Sequence, residues 1–123
     1  MPEIVLHHVS LLVADVARSL DFYTRVLGLE MDSARPAMSF DGAWLKVGAQ
    51  QIHLLQLANP DPVEGRPQHG GRDRHTAFQV DQLEPYTERL RASGIDFTMS
   101  KSGRRALFCR DPDGNACELV EVC

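Results

Sequence analysis

The sequence predicts an α+β fold in which one βαβββ module occurs twice. Hydrophobic patterns typical of strand, helix, strand, strand and strand follow one another from about residue 4, and the same order begins again at His75. A region rich in glycine and proline separates the two runs. Because 123 residues fit one domain, we expect a single domain with module one at about 1–57, a linker at about 58–73 and module two at about 74–123.

Module one is predicted to begin with a strand from about Ile4 to Val13. In this strand His8 and Ser10 have the parity opposite to Val9, so their side chains lie on the opposite face of the sheet. The other predicted elements are a helix capped by Asp15 and ended by Gly28, strands at about Leu29–Ser33, Met38–Val47 and Gln51–Leu57, and a turn or bulge at Asp41-Gly42.

Module two repeats this order after the linker. Its first predicted strand is His75–Asp81, in which His75 has the parity opposite to the apolar Phe78 and Val80. The other predicted elements are a helix over about Leu83–Arg91 that ends at Ser93-Gly94, strands at about Ile95–Met99, Arg104–Arg110 and Ala116–Val122, and a turn at Asp111–Asn115. We expect the two modules to form paired, curved mixed sheets around a metal cleft.

Composition and charge argue against several function classes. The formal net charge of −4 argues against nucleic acid or an anionic membrane as the main partner. No apolar stretch approaches the ~18 residues of a membrane span, and Met1-Pro2-Glu3 does not begin a secretory signal. Cys109, Cys117 and Cys123 have no CxxC spacing and are odd in number, so we expect reduced thiols in a cytoplasmic protein.

Four residues able to bind a metal fall at equivalent positions of the two modules. His8 and His75 lie in the first strands, whereas His53 and Glu118 lie in the last strands, at nearly equal separations along the chain. A pseudo-twofold relation between the modules would bring the four positions together. Three imidazoles and one carboxylate suit one divalent ion per site, without distinguishing Zn²⁺, Ni²⁺, Co²⁺, Mn²⁺ and Fe²⁺.

Each candidate ligand also has a purely structural interpretation. A single histidine in a strand is usually a surface or hydrogen-bonded core residue, and Glu118 alone could pair with an arginine. The joint placement of the four at matching positions of a repeat favours a metal site. His7 has the wrong parity and is left out, and His69 is expected to be exposed in the linker, from which it could move over the site.

Motifs in both modules point to a known family. HVSLLVAD at 8–15 is followed by RSLDFY at 18–23 and LGL at 27–29, and HTAFQVD at 75–81 is followed by DPDGN at 111–115 and by Glu118-Leu119. These stretches resemble the vicinal oxygen chelate superfamily over nearly the whole chain. The superfamily includes glyoxalase I, extradiol dioxygenases, fosfomycin-resistance thiol transferases, methylmalonyl-CoA epimerase and metal-free bleomycin-binding proteins, so the resemblance implies a fold and leaves the reaction open.

The resemblance also implies roles for individual residues. His8, His75 and Glu118 match the two histidines and the carboxylate that most metal-binding members share. Glu118 would be the catalytic residue, because it is the only ligand able to act as a base. His53 falls where glyoxalase I carries a glutamate and the epimerase a glutamine. Ser10 stands where fosfomycin-type enzymes often carry a threonine and is assigned to substrate binding.

Two arginines complete the predicted site. Arg104 and Arg105 precede the penultimate strand and are assigned to the binding of an anionic substrate. The alternative for this pair is a solvated strand end.

Three functions remain open from the sequence. The first is a metal-dependent enzyme that acts as a lyase, isomerase or transferase on a small oxygen-chelating metabolite, with the metal as Lewis acid. The second is an Fe(II) extradiol-type dioxygenase, and the third is a metal-free small-molecule binding or resistance protein of the bleomycin-resistance type. The resemblance further implies a homodimer whose sites draw ligands from both subunits. The sequence does not decide whether a site forms within one chain or between two.

Overall fold

The computed structural model describes residues 3–122 and contains two four-stranded mixed sheets. Two compact units divide between Pro60 and Asp61. The expectations for Met1, Pro2 and Cys123 lie outside the described residues. Within residues 3–122, the helices are too short and too polar to cross a membrane.

The first unit has the predicted βαβββ order. Its strands are β1 (His8–Leu12), β2 (Glu30–Asp32), β3 (Gly42–Val47) and β4 (Gln50–Leu55), and helix α1 (Val16–Asp21) continues into a π-helical turn at Phe22–Val26. The strands lie in the order β1-β4-β3-β2, with β1 parallel to β4 and the other pairs antiparallel. The side chain of Asp15 accepts a hydrogen bond from the Arg18 amide and caps α1, and Gly28 ends the helical segment at a φ of 79°.

The second unit repeats this arrangement. After a 3₁₀ turn (Gly70–Arg72) come β5 (His75–Val80), α2 (Glu84–Ala92), β6 (Phe97–Met99), β7 (Ala106–Arg110) and β8 (Ala116–Glu121). The strand order β5-β8-β7-β6 matches that of the first unit, with β5 parallel to β8. The α+β class and the duplicated module predicted from the sequence are therefore confirmed.

Each sheet buries the face that carries its apolar side chains. In the first unit Leu45, Ile52 and Leu54 are fully buried, and in the second unit Leu107 and Leu119 are. The intervening positions of β4 and β8 carry His53 and Glu118, so the candidate ligands lie on the face opposite to this apolar core.

The first strand is shorter than predicted. It begins at His8 rather than at Ile4, because its ladder with β4 starts where His8 meets Gln51. Ile4, Val5 and Leu6 precede the ladder and are exposed. Apolar alternation alone predicted a strand there, but a strand requires a partner for its backbone.

Asp41-Gly42 is neither a turn nor a bulge, contrary to one expectation from the sequence. Gly42 is the first residue of β3, which begins there rather than at Met38, and it pairs with Leu55. A Cβ at residue 42 would overlap the carbonyl oxygen of Leu54 and crowd the Arg35 guanidinium. The glycine therefore serves the close approach of two strands.

Leu45 offers a test of the buried core. Its side chain is completely inaccessible in β3, so we expect Leu45→Ala to lower the free energy of unfolding by about 2–5 kcal/mol through lost burial and a cavity. Urea unfolding followed by circular dichroism measures this. The neighbouring Lys46→Ala is the control, because Lys46 is exposed and its change should stay within about 0.5 kcal/mol. A loss below about 1 kcal/mol for Leu45→Ala would contradict the packing described.

Candidate metal-binding site

The strand register places the candidate ligands equivalently in the two modules. Ser10 of β1 pairs with His53 of β4, and His8 lies two residues before Ser10. In the same way Ala77 of β5 pairs with Glu118 of β8, and His75 lies two residues before Ala77. Paired residues of neighbouring strands share a face, as do residues two apart in one strand. Each sheet therefore presents one pair of candidate ligands on its non-core face.

In module two, hydrogen bonding orients the ring of His75 toward Glu118. Nδ1 of His75 lies 2.8 Å from the carbonyl oxygen of Asp73, and because a carbonyl only accepts, Nδ1 donates. The neutral ring then keeps a lone pair on Nε2, the arrangement found in metal-ligating histidines. This Nε2 faces Oε1 of Glu118 at 3.1 Å. Two acceptors at this distance need a cation between them, either a proton or a metal ion.

These two side chains fit a divalent ion. Metal bonds of ~2.0–2.1 Å that meet at about 90° place two donor atoms about 3 Å apart, close to the 3.1 Å observed between His75 and Glu118. The Glu118 side chain is 3% exposed, and its Oε2 accepts a hydrogen bond of 2.9 Å from Arg104. Arg104 therefore orients the carboxylate and leaves Oε1 available to an ion.

The pair in module one forms part of an aromatic stack. The His53 ring lies between Trp44 and His8, with centroid distances of 4.3 and 3.9 Å and interplanar angles of 5° and 15°. Nε2 of His53 lies 2.9 Å from Oε1 of Gln51, whose amide nitrogen donates to the carboxylate of Asp32. Because that donation fixes the Gln51 amide, Oε1 accepts and Nε2 of His53 carries the proton.

His53 is consequently a neutral ring at neutral pH. Burial lowers the pKa of His53 below the ordinary imidazole value, and the charges that His8, His7 and Arg35 can carry lower it further. Its remaining lone pair, on Nδ1, lies in the ring plane. Since the rings of His53 and His8 are nearly parallel, their in-plane lone pairs do not converge on one ion in this arrangement.

His7 takes part in the site, although parity excluded it. It lies before β1, so strand parity does not apply to it, and its Nδ1 is 2.8 Å from Nδ1 of His8. One ring must donate and the other accept in this contact. His8 is exposed. Among residues 3–122, its Nε2 forms no hydrogen bond.

The predicted substrate-binding residues lie in different surroundings. Ser10 is exposed on the same sheet face as His53. Arg104 contacts Glu118 directly. Arg105 instead forms ion pairs with Glu84 of α2 and Glu121 of β8, which raise the pKa of its guanidinium and lower that of Glu121.

His69 is not the exposed loop residue that the sequence suggested. It is half-buried, its Nδ1 lies 2.6 Å from Oγ1 of Thr98, and its ring meets Phe108 edge-on at 4.8 Å. A Cβ at residue 71 would lie 2.7 Å from Nε2 of His69, so the backbone at Gly71 can pack closely against the His69 ring because it has no side chain. Phe108 in turn meets His75 edge-on at 5.2 Å, so His69 and His75 both contact the same aromatic ring.

Several residues that contact the candidate ligands were not identified from the sequence. Trp44 and Phe108 have the parity of the candidate ligands in β3 and β7, and their register with His53 and Glu118 would have identified them. The carbonyl oxygen of Asp73 carries no signal in the sequence, because any residue has one.

Each module by itself supplies two candidate ligands. In the described part of the chain, residues 3–122, no three side chains of His, Cys, Asp or Glu are grouped to hold a metal ion. Catalytic zinc sites use three protein ligands, so neither pair by itself makes such a site.

Comparison with known proteins identifies relatives over nearly the whole chain. The family model described as Glyoxalase/Bleomycin resistance protein/Dioxygenase superfamily matches residues 5–119. Glyoxylase I 4 of Arabidopsis thaliana is 32% identical over 123 residues, which cover 96% of this chain and 69% of that protein. Lactoylglutathione lyase of Escherichia coli O157:H7 is 32% identical over 125 residues, which cover 93% of this chain and 90% of that protein.

Solved structures agree on the fold. A variant of the fosfomycin resistance protein FosX from Listeria monocytogenes, complexed with Mn(II) and 1S,2S-dihydroxypropylphosphonic acid, has a TM-score of 0.74 at 19% identity. The match covers all of this chain and 95% of that one.

Proposed function

The chain belongs to the glyoxalase/bleomycin resistance protein/dioxygenase superfamily, and on that basis we propose that it is a metal-dependent enzyme. It would act as a lyase, isomerase or transferase on a small metabolite that offers two neighbouring oxygens to the metal. Relatives include lactoylglutathione lyases and a Mn(II)-binding FosX, which supports the class without naming the reaction.

One observation carries this proposal. Nε2 of His75 faces Oε1 of Glu118 at 3.1 Å, while the carbonyl oxygen of Asp73 binds Nδ1 of the ring and Arg104 binds the other carboxylate oxygen. Both side chains are thus fixed by partners outside the pair, which is the outer-shell support typical of metal ligands.

We assign His8, His75 and Glu118 as the three ligands. The ion they hold would supply Lewis acidity to the substrate oxygens. Glu118 is also the only group of the three able to take a proton from the substrate. Arg104 orients Glu118 by its hydrogen bond of 2.9 Å. His53 lies beside His8 as a neutral ring whose Nε2–H is committed to Gln51, which favours a cleft-lining role.

We propose that the site forms between the subunits of a homodimer, because each module offers two of the candidate ligands. One chain's module one and its partner's module two would then contribute His8 and His75 with Glu118, giving two equivalent sites. Family resemblance supports this assembly. Cys109 and Cys117 are buried and form no disulfide among residues 3–122, which supports the reducing cytoplasm expected from the sequence.

Metal and chelator binding test the proposal. Protein purified without added metal and then loaded with Co²⁺ should hold about one ion per chain. Acetohydroxamate, which binds metals through two neighbouring oxygens, should change the visible spectrum of the bound Co²⁺. Failure to retain a divalent ion would contradict the proposal and favour a metal-free binding protein. Oxygen uptake with Fe²⁺ and a catechol would instead favour the dioxygenase.

The role of His53 has its own test. Because its Nε2–H is bound to Gln51 and its ring is stacked on His8, we expect His53→Gln to retain the metal of the wild-type protein. We expect acetohydroxamate affinity to change, since the side chain lines the same face as His8. Elemental analysis and chelator titration measure the two effects. Loss of metal from His53→Gln would show that His53 is a fourth ligand.

A further inference from the structure

The linker and β6 of the second unit border an open depression of about 570 Å³. It is lined by Pro67, Gln68, His69, Arg72, Thr98 and Lys101. The lining contains an arginine and a lysine and no carboxylate, although the whole chain carries a net charge of −4. The depression is therefore locally positive on an acidic protein.

The two cations of this depression differ from their neighbours. Arg66 and Arg110 form ion pairs with Asp73, and Arg74 pairs with Asp61. Within residues 3–122, the structure gives the side chains of Arg72 and Lys101 no hydrogen bond, ion pair or ring contact.

The register fixes where Thr98, which lines the depression, lies relative to Glu118. Thr98 of β6 pairs with Phe108 of β7, and Phe108 pairs with Glu118 of β8, so the three side chains share one face. Two strand spacings of about 4.8 Å separate Thr98 from Glu118, a distance of about 10 Å. His69 bridges the interval, because it contacts both Thr98 and Phe108.

We propose that this depression binds an oxyanion at the far end of the substrate, with Arg72 and Lys101 as its cations. The inference rests on the proposed function and adds a substrate class: an elongated molecule with a chelating head at Glu118 and a carboxylate or phosphate tail about 10 Å away. Arg72 can bind such a tail through two parallel hydrogen bonds, and Lys101 adds a point charge.

Arg72 and Lys101 are better placed to bind an anion than the two arginines suggested by the sequence. Arg104 and Arg105 were the sequence-based candidates, but both guanidinium groups contact carboxylates of the chain. Their charge is already compensated, whereas that of Arg72 and Lys101 is available to a ligand.

Tailed chelators test this proposal on the Co²⁺-loaded protein. Three hydroxamates with a six-methylene spacer, ending in methyl, carboxylate or phosphonate, place the tail about 10 Å from the head at about 1.2 Å per bond. We expect the charged probes to bind at least tenfold more tightly than the methyl probe. Arg72→Gln/Lys101→Gln should remove this preference and leave affinity for the methyl probe unchanged. Whichever charged probe, carboxylate or phosphonate, gains more affinity over the methyl probe identifies the preferred oxyanion.

The control variant is Lys46→Gln/Arg89→Gln, which removes the same charge from residues that contact Glu30 and Tyr86 elsewhere. It should keep the preference. Equal affinity for charged and methyl probes in the wild-type protein would overturn the proposal, as would a preference that survives in Arg72→Gln/Lys101→Gln.

A metal-free arm separates failure of this inference from failure of the proposed function. If no metal is retained, suberate is titrated into the apoprotein and backbone amide shifts are followed by NMR. Shifts that cluster at His69 and Thr98 and vanish in Arg72→Gln/Lys101→Gln would support the anion site alone. The absence of such shifts would overturn it.

Discussion

We expect alanine at Glu118 or His75 to abolish tight metal binding, with affinity reduced by more than about 100-fold, beyond the 10- to 100-fold that loss of an outer-shell partner causes. Each substitution removes a donor atom from a pair whose 3.1 Å separation matches two metal bonds. Metal content by elemental analysis and Co²⁺ titration measures the effect. Acidification should release the ion as well, because a protonated imidazole cannot bind it.

Two further variants separate metal binding from folding. Glu118→Gln keeps the volume of a side chain that is 3% exposed and leaves Arg104 an oxygen acceptor, so the fold should persist without the anionic ligand. His69→Ala removes another histidine of the same unit that we do not assign as a ligand, and it should keep the metal. Full occupancy in both Glu118→Ala and His75→Ala would contradict the assignment.

Mixed subunits should recover metal binding that neither parent variant has. In a site shared between subunits, His8→Ala damages module one of its own chain and Glu118→Ala damages module two of its own chain. A heterodimer of the two therefore has one site with both lesions and one intact site. After equal mixing and subunit exchange, half of the dimers are mixed, so about 0.25 ion per chain should return.

A matched pair of variants controls this experiment. His75→Ala and Glu118→Ala both damage module two, so every site of their heterodimer carries a lesion and no metal should return. Sites built within single chains would give no rescue with either mixture. A monomer by light scattering that holds a full complement of metal would also rule out the shared site.

The repeat explains how much of the site was predictable. His8 and His75 fall at the same register position because both modules use the same strand order and the same parallel pairing. A two-residue side-chain period then assigns His53 and Glu118 to the non-core face. These relations follow from hydrophobic alternation and duplication, both of which a single sequence displays.

Other features depend on contacts between distant segments. Ile4 lies outside β1 because the ladder with β4 starts at His8, and alternation cannot report where a partner strand begins. Gly71 permits His69 to pack beside Phe108, but glycine in a linker reads equally as an exposed turn. The stack of Trp44 on His53 needs a cross-strand register that the sequence of one strand does not contain.

Anomalous diffraction from crystals loaded with Zn²⁺ or Co²⁺ tests the ligand assignment most directly. The assignment predicts one strong peak per chain, with ring nitrogens of His8 and His75 and a carboxylate oxygen of Glu118 at about 2.0–2.2 Å from it. His53 should lie more than about 3 Å away, with its Nε2 still bound to Gln51. A peak coordinated by other residues, or a fully loaded protein in which Glu118 remains bound only to His75 and Arg104, would contradict it.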